Sequence, residues 1–129
     1  MSNLETKIAN FSKAVIRLQD AIDEYEKTYS DTVRDGAIQR FELCMELAWK
    51  TTREYLIEQG FAELNSPKAV MREAYASHII DSQELWISAL NDRNLTSHVY
   101  DEKTSNEVFS RICGSYVPLL KKLDELFRA

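Results

Sequence analysis

From Leu4 to Tyr25 the apolar residues Leu4, Ile8, Phe11, Val15, Leu18, Ile22 and Tyr25 recur at alternating steps of four and three residues, the spacing of one seam along an α-helix. A seam this long must be covered by other helices, so it commits the chain to a bundle. The opposite face carries Lys7, Lys13, Arg17, Asp20, Asp23 and Glu24 and reads as solvated. Ser2 followed by Glu5 forms a capping-box pattern, in which hydroxyl and carboxylate each satisfy a free backbone N–H. With only 3 glycines and 2 prolines in 129 residues, the turns of a β-sandwich or barrel are missing. The length suits one domain, residues 1–129.

The remaining apolar pattern supplies the covering helices. Ser30 or Asp31 starts a second long helix that runs to Gln59, with Gly60 as its C-terminal stop. Its apolar sector is wide, because Ala37, Phe41, Cys44, Ala48 and Tyr55 lie beside Ile38, Met45, Trp49 and Leu56. Gly36, near its start, offers room for a close approach. Ser66-Pro67 opens a third helix expected to reach Ile79. Asp81 with Glu84 marks a shorter fourth, ending near Asn91. Thr104 with Glu107 opens the last, whose seam is Val108, Ile112, Tyr116, Leu119, Leu123 and Leu126. Pro118 falls inside that seam and predicts a kink. The expected fold is all-α, an antiparallel up-and-down four-helix bundle with an additional short helix.

Sixteen Lys and Arg against 21 Asp and Glu give a formal charge of −5, which excludes nucleic-acid binding by bulk electrostatics but leaves a local site open. No apolar run approaches the ~20 residues of a membrane span. The N-terminus MSNLETK lacks the basic-then-apolar order of a signal peptide. Cys44 and Cys113 lie apart within apolar helical stretches and read as reduced core thiols of a cytoplasmic protein.

One segment, Asp92 to Asp101, is too polar to belong to a core seam. Arg93 and His98 are five residues apart, about 140° around a regular helix, so they converge only if the backbone turns between them. His98 and Tyr100 have the spacing of one side of an extended strand. A guanidinium holds a phosphate through two parallel hydrogen bonds, and an imidazole titrates near neutrality. Together they suffice for metal-independent RNA cleavage: His98 activates a ribose 2′-hydroxyl, Arg93 stabilises charge on the phosphorus oxygens, and Asn94 or Ser97 orients them. In an acidic chain this chemistry needs a basic pocket, with Arg34 or Arg40 as further contributors. On spacing alone, the plainer assignment prevails: a surface ion-pairing arginine and a capping histidine in a connector.

The order Arg93-Asn94, His98, Tyr100 resembles the Arg-x4-His-x-Tyr pattern of the HepT-like branch of the HEPN superfamily. Arg34 to Glu42 continuing through Glu46-Leu47-Ala48-Trp49-Lys50 is similar to the second-helix block of the nucleotidyltransferase substrate-binding protein family. Ser66-Pro67-Lys68 with Arg72-Glu73-Ala74, and Leu85-Trp86 ahead of Asn91-Asp92-Arg93-Asn94, match it in order and spacing. The resemblance covers nearly the whole chain. It implies a HEPN-like bundle that forms a homodimer and assembles with a nucleotidyltransferase encoded by an adjacent gene. It further implies a ribonuclease toxin whose site is completed across the dimer, with Arg93 and His98 catalytic, Asn94 supporting, and Tyr100 the site of adenylylation by the partner. An adenylate two residues from His98 would block phosphate access by bulk and charge. The alternative is a non-catalytic substrate-binding or scaffold subunit of the nucleotidyltransferase complex.

Other residues have plainer roles. Trp49 and Trp86 read as core or interface anchors. His78 reads as a helix-end residue stabilising terminal carbonyls, and no further ligands build a metal site around it. Glu42 and Glu46 are expected to pair with Lys50 and Arg53. The sequence contains no glycine-rich phosphate loop, so neither a bound cofactor nor unaided nucleotide transfer is expected.

Overall fold

The computed structural model describes residues 2–96 and 101–129. The first two helices form an antiparallel pair. Helix α1 (Asn3–Thr28) starts where the Ser2 hydroxyl accepts the Glu5 N–H at 3.0 Å. It ends at Tyr29, whose backbone is left-handed at φ 50°. Helix α2 (Asp31–Glu58) begins one residue after Ser30, which caps the Val33 N–H. With so short a connector α2 must fold back along α1, and the seam of α1 is buried there at Phe11, Val15, Leu18 and Ile22.

Helix α2 is the hub of the bundle, in contact with every other helix, which accounts for its wide apolar sector. Phe41, Cys44 and Ala48 are fully buried on it. A fully buried Phe or Leu contributes roughly 1.5–3 kcal/mol relative to an exposed one. After Gly60, helix α3 (Pro67–Ala76) and helix α4 (Gln83–Thr96) complete one side. Helices α5 (Glu102–Arg111) and α6 (Val117–Arg128) are joined by a π-helical turn, Ile112–Tyr116, so the last element is one interrupted helix. All described elements are helical, and the architecture is the expected all-α antiparallel bundle with a short additional helix.

Several boundaries differ from the sequence expectation, each for a physical reason. Helix α3 stops at Ala76 rather than Ile79 because His78 turns left-handed at φ 63°. The Ile79 N–H then reaches back to the Ala74 carbonyl at 2.8 Å, and that of His78 to Tyr75 at 3.1 Å. Gly60, at φ 97°, closes α2 by the same pair of bonds, Phe61 to Leu56 and Gly60 to Ile57. This is the Schellman closure, made once with glycine and once with histidine. His78 thus satisfies a terminal carbonyl through its backbone N–H.

Helix α4 starts under the Ser82 hydroxyl, which accepts the Leu85 N–H at 3.3 Å, while Asp81 instead pairs with Lys122. It continues past Asn91 to Thr96, so the first half of the polar segment is helical. Helix α5 starts at Glu102, with Asp101 in the N-cap position, three residues ahead of the Thr104 cap the sequence suggests. The kink expected at Pro118 takes the form of the π turn: the Val117 N–H bonds the Ile112 carbonyl five residues back, and the widened turn directly precedes the proline, whose ring cannot follow a regular α-turn. Among the described residues, nothing lies within 4 Å of a Cβ built at Gly36, so none of them uses it for a close backbone approach.

Candidate functional site

Helix α4 carries Arg93 into its last turn, where the side chain lies half-buried against α2. Glu46 approaches the guanidinium to 3.5 Å and is also held by Lys50 at 3.1 Å. Burial alone would raise the Glu46 carboxyl. The Lys50 hydrogen bond, the nearby Trp49 indole and the charges of Lys50 and Arg93 outweigh it and keep the carboxyl below its ordinary range. Glu46 therefore remains an anion, and its expected pairing with Lys50 is present. Arg53 instead lies over the Trp49 ring, 5.2 Å from its centroid.

Arg93 and Asn94 line a groove of about 360 Å³ between α2, the start of α3 and α4. Its other walls bring Lys68 and Arg72 from α3, with Met45, Trp49, Pro67 and Leu90 forming an apolar floor. Trp86 is fully buried as a core anchor, whereas Trp49 is an anchor that also faces the groove. His98, Tyr100 and Ser97 lie outside the described residues.

The basic pocket is built from different residues than the sequence suggested. Arg34 is buried and committed: its guanidinium donates to Glu102 at 2.6 Å, Asn106 at 2.9 Å and Asp35 at 2.9 Å. The Glu102 bond, with Asp35, holds that guanidinium's pKa well above its ordinary value despite burial. Arg34 thus ties the start of α5 to the start of α2. Arg40 is spent on the Arg17 carbonyl at 2.6 Å. The missed cations are Lys68 and Arg72. Their signal was present, because Ser66-Pro67 sets the helix start and places two cations four residues apart on one face.

Asp92, the neighbour of Arg93, is a structural residue. It is buried and accepts two bonds from Arg111, at 2.7 and 3.0 Å, and a third from the Tyr116 hydroxyl. The Tyr116 hydroxyl also meets Ser88 at 2.7 Å, and its ring stacks on Phe41 with centroids 5.5 Å apart. Burial, with Asp92 beside it, keeps the Tyr116 phenol protonated beyond its usual range. This network explains how so polar a stretch remains helical: its acid is satisfied across the bundle.

The family model described as nucleotidyltransferase substrate binding protein like matches residues 6–129, nearly the entire chain. The chain belongs to this nucleotidyltransferase substrate-binding protein-like family. It is similar to the probable ribonuclease HepT of Haemophilus influenzae, 27% identical over 118 residues, covering 84% of this chain and 79% of that protein. A Thermus thermophilus protein of solved structure is 31% identical over 92% of this chain and 99% of its own, with a TM-score of 0.83. A tri-AMPylated HEPN toxin of Shewanella oneidensis, solved in complex with MNT antitoxin, superposes with a TM-score of 0.79 over 99% of this chain and 98% of its own. At 15% identity that likeness establishes a shared fold. The nucleotidyltransferase substrate-binding protein-like chain described here therefore has the HEPN helical architecture, with the cationic groove at the end of its fourth helix.

Proposed function

We propose that this chain, a single domain over residues 1–129, is the toxin-like helical partner of a nucleotidyltransferase and acts in the cytoplasm as a homodimeric, metal-independent endoribonuclease. The observation that carries the reading is the position of Arg93, set half-buried in a cationic groove directly ahead of His98 and Tyr100 in sequence. The likeness to the probable ribonuclease HepT supports it. In the proposed reaction His98 takes the proton of a ribose 2′-hydroxyl. The oxygen attacks phosphorus, the bond to the 5′-oxygen breaks, and the leaving oxygen is reprotonated, giving a 2′,3′-cyclic phosphate. Arg93 balances the charge that builds on the non-bridging oxygens, and Asn94 assists its orientation. Two protomers each contribute Arg93 and His98 to the working site.

Regulation follows in the same proposal. The partner nucleotidyltransferase transfers adenylate from ATP to the Tyr100 phenol oxygen and releases pyrophosphate, which places a negative charge beside His98. A HEPN toxin carrying AMP groups in complex with an MNT antitoxin is the precedent for such an arrangement. Expression of the chain without its partner tests the reading. Growth arrest with RNA fragmentation is expected for the parent, and folded Arg93→Ala and His98→Ala variants should abolish both. A harmless parent would remove the toxin assignment.

The second reading is a non-catalytic substrate-binding subunit. It is favoured by Glu46, which already occupies Arg93 with a carboxylate that a phosphate would have to displace. It expects the parent and both variants to behave alike.

A further inference from the structure

The groove beside Arg93 holds more positive charge than a two-residue cleavage site requires. Lys68 stands in the first turn of α3 and Arg72 one turn later, and both open onto the same space as Arg93. Neither Lys68 nor Arg72 has an ion-pair partner among the described residues. The single carboxylate among the lining residues, Glu46, is shared between Arg93 and Lys50. Three converging cations in a chain of net charge −5 repel one another and gain most from an anion placed between them. The floor between them is apolar, formed by Met45, Trp49, Pro67 and Leu90. A space of about 360 Å³ with one apolar side and one cationic side has the dimensions of a small-ligand site.

We infer that this groove is a nucleoside-phosphate subsite in which Lys68 and Arg72 hold the phosphate and the apolar floor takes the base. Arg72 offers a planar fork for two phosphate oxygens, and Lys68 a mobile point charge beside it. The ligand is either one nucleotide of an RNA strand, next to the bond that Arg93 addresses, or a free nucleoside phosphate. In the first case the inference rests on the ribonuclease reading; in the second it stands without it.

Equilibrium binding to the purified full-length protein tests this with two probes. One is a short, fluorescently labelled 2′-O-methyl oligoribonucleotide, which lacks the attacking hydroxyl and cannot be cleaved; the other is AMP. The Lys68→Ala/Arg72→Ala double variant should keep its melting temperature, since both side chains reach solvent. It should bind the preferred probe about tenfold more weakly or worse, with a shallower dependence on salt. Lys68→Arg should keep binding, Arg72→Lys should keep the charge but lose the two-oxygen fork and so bind between the parent and the double alanine variant, and Glu46→Gln should tighten binding. Strand binding that AMP does not displace assigns the groove to RNA. Displacement by AMP at similar affinity assigns it to a free nucleoside phosphate. The inference is overturned if the parent binds neither probe, or if the folded double alanine variant binds as the parent does. Failure of the ribonuclease reading appears elsewhere, as absent toxicity and cleavage, because neither probe is a substrate.

Discussion

Asp92 and Arg111 face each other through two parallel hydrogen bonds, at 2.7 and 3.0 Å, that fasten the last turns of α4 to the end of α5. Because Asp92 immediately precedes Arg93, this clasp fixes the backbone from which the groove's arginine projects. Asp92→Ala takes a hydrogen-bond partner from the Tyr116 hydroxyl, which keeps Ser88, and releases Arg111, whose side chain is 42% exposed and can turn to water. The expected cost is roughly 1–3 kcal/mol. Tyr116→Phe should cost about 1 kcal/mol, and the double variant less than the sum, because the two residues share one network. Urea denaturation of the three variants measures all three terms.

The Glu46 carboxyl is held below its ordinary range in the folded protein, so its contribution is present above the unfolded value, roughly pH 4.3, and disappears as pH falls through the folded value. Glu46→Gln should lower stability by ~0.2–1 kcal/mol at neutral pH, the range of a part-exposed pair. Thermal melts should show the gap to the parent closing below about pH 4. A gap that stays constant to strongly acid pH would contradict the ionic origin.

Of the three left-handed helix stops, at Tyr29, Gly60 and His78, the glycine and the histidine invite opposite substitutions. Gly60→Ala puts a Cβ on a backbone at φ 97° and should destabilise by about 1 kcal/mol or more. His78→Gly removes a Cβ from φ 63° and should stabilise by a similar amount, about 1 kcal/mol. Melting temperatures moving in opposite directions would confirm that both positions are governed by backbone conformation.

Cys44 is fully buried, and burial pushes its thiol up to about 12. Its proton is therefore retained in the folded state, and the associated stability is complete below the unfolded thiol value, about pH 8.5, and declines as pH rises above it. In native protein at pH 8, iodoacetamide should label Cys44 far more slowly than in urea. Cys113, half-buried and raised by burial and by Glu26, should react at an intermediate rate. Mass spectrometry of peptides after timed quenching reads both.

Periodicity and capping chemistry made most of the bundle legible. The α1 seam, the Ser2, Ser30 and Ser66 caps and the Gly60 stop were all written in local spacing, and each appears in the structure. The ends of α3 and α4 were not, because His78 adopts a conformation usually left to glycine and because Asp92 is satisfied by Arg111 and Tyr116 from distant positions. The same limit applies to the candidate site. Arg93 was identifiable from its motif, but which cations share its groove depends on how helices pack. Arg34 was excluded by partners 68 and 72 residues away in sequence, whereas Lys68 and Arg72 became its neighbours only through the approach of α3 to α4.

The π turn between α5 and α6 also has a consequence for helix phase. Val108, Ile112, Tyr116 and Leu120 are all buried although they follow one another at steps of four. On an ideal α-helix each such step drifts by roughly 40°, so after three the last residue would have rotated well out of the core. The extra residue taken up at Ile112–Tyr116 unwinds the helix locally and absorbs that drift. Removing one residue from the turn would regularise the helix yet rotate everything beyond it by about 100°, taking Leu120 and Leu123 out of step with the core. The irregularity acts as a phase correction, and the seating of α6 on the core depends on the length of this turn as well as on the packing of Ile112 and Tyr116 within it.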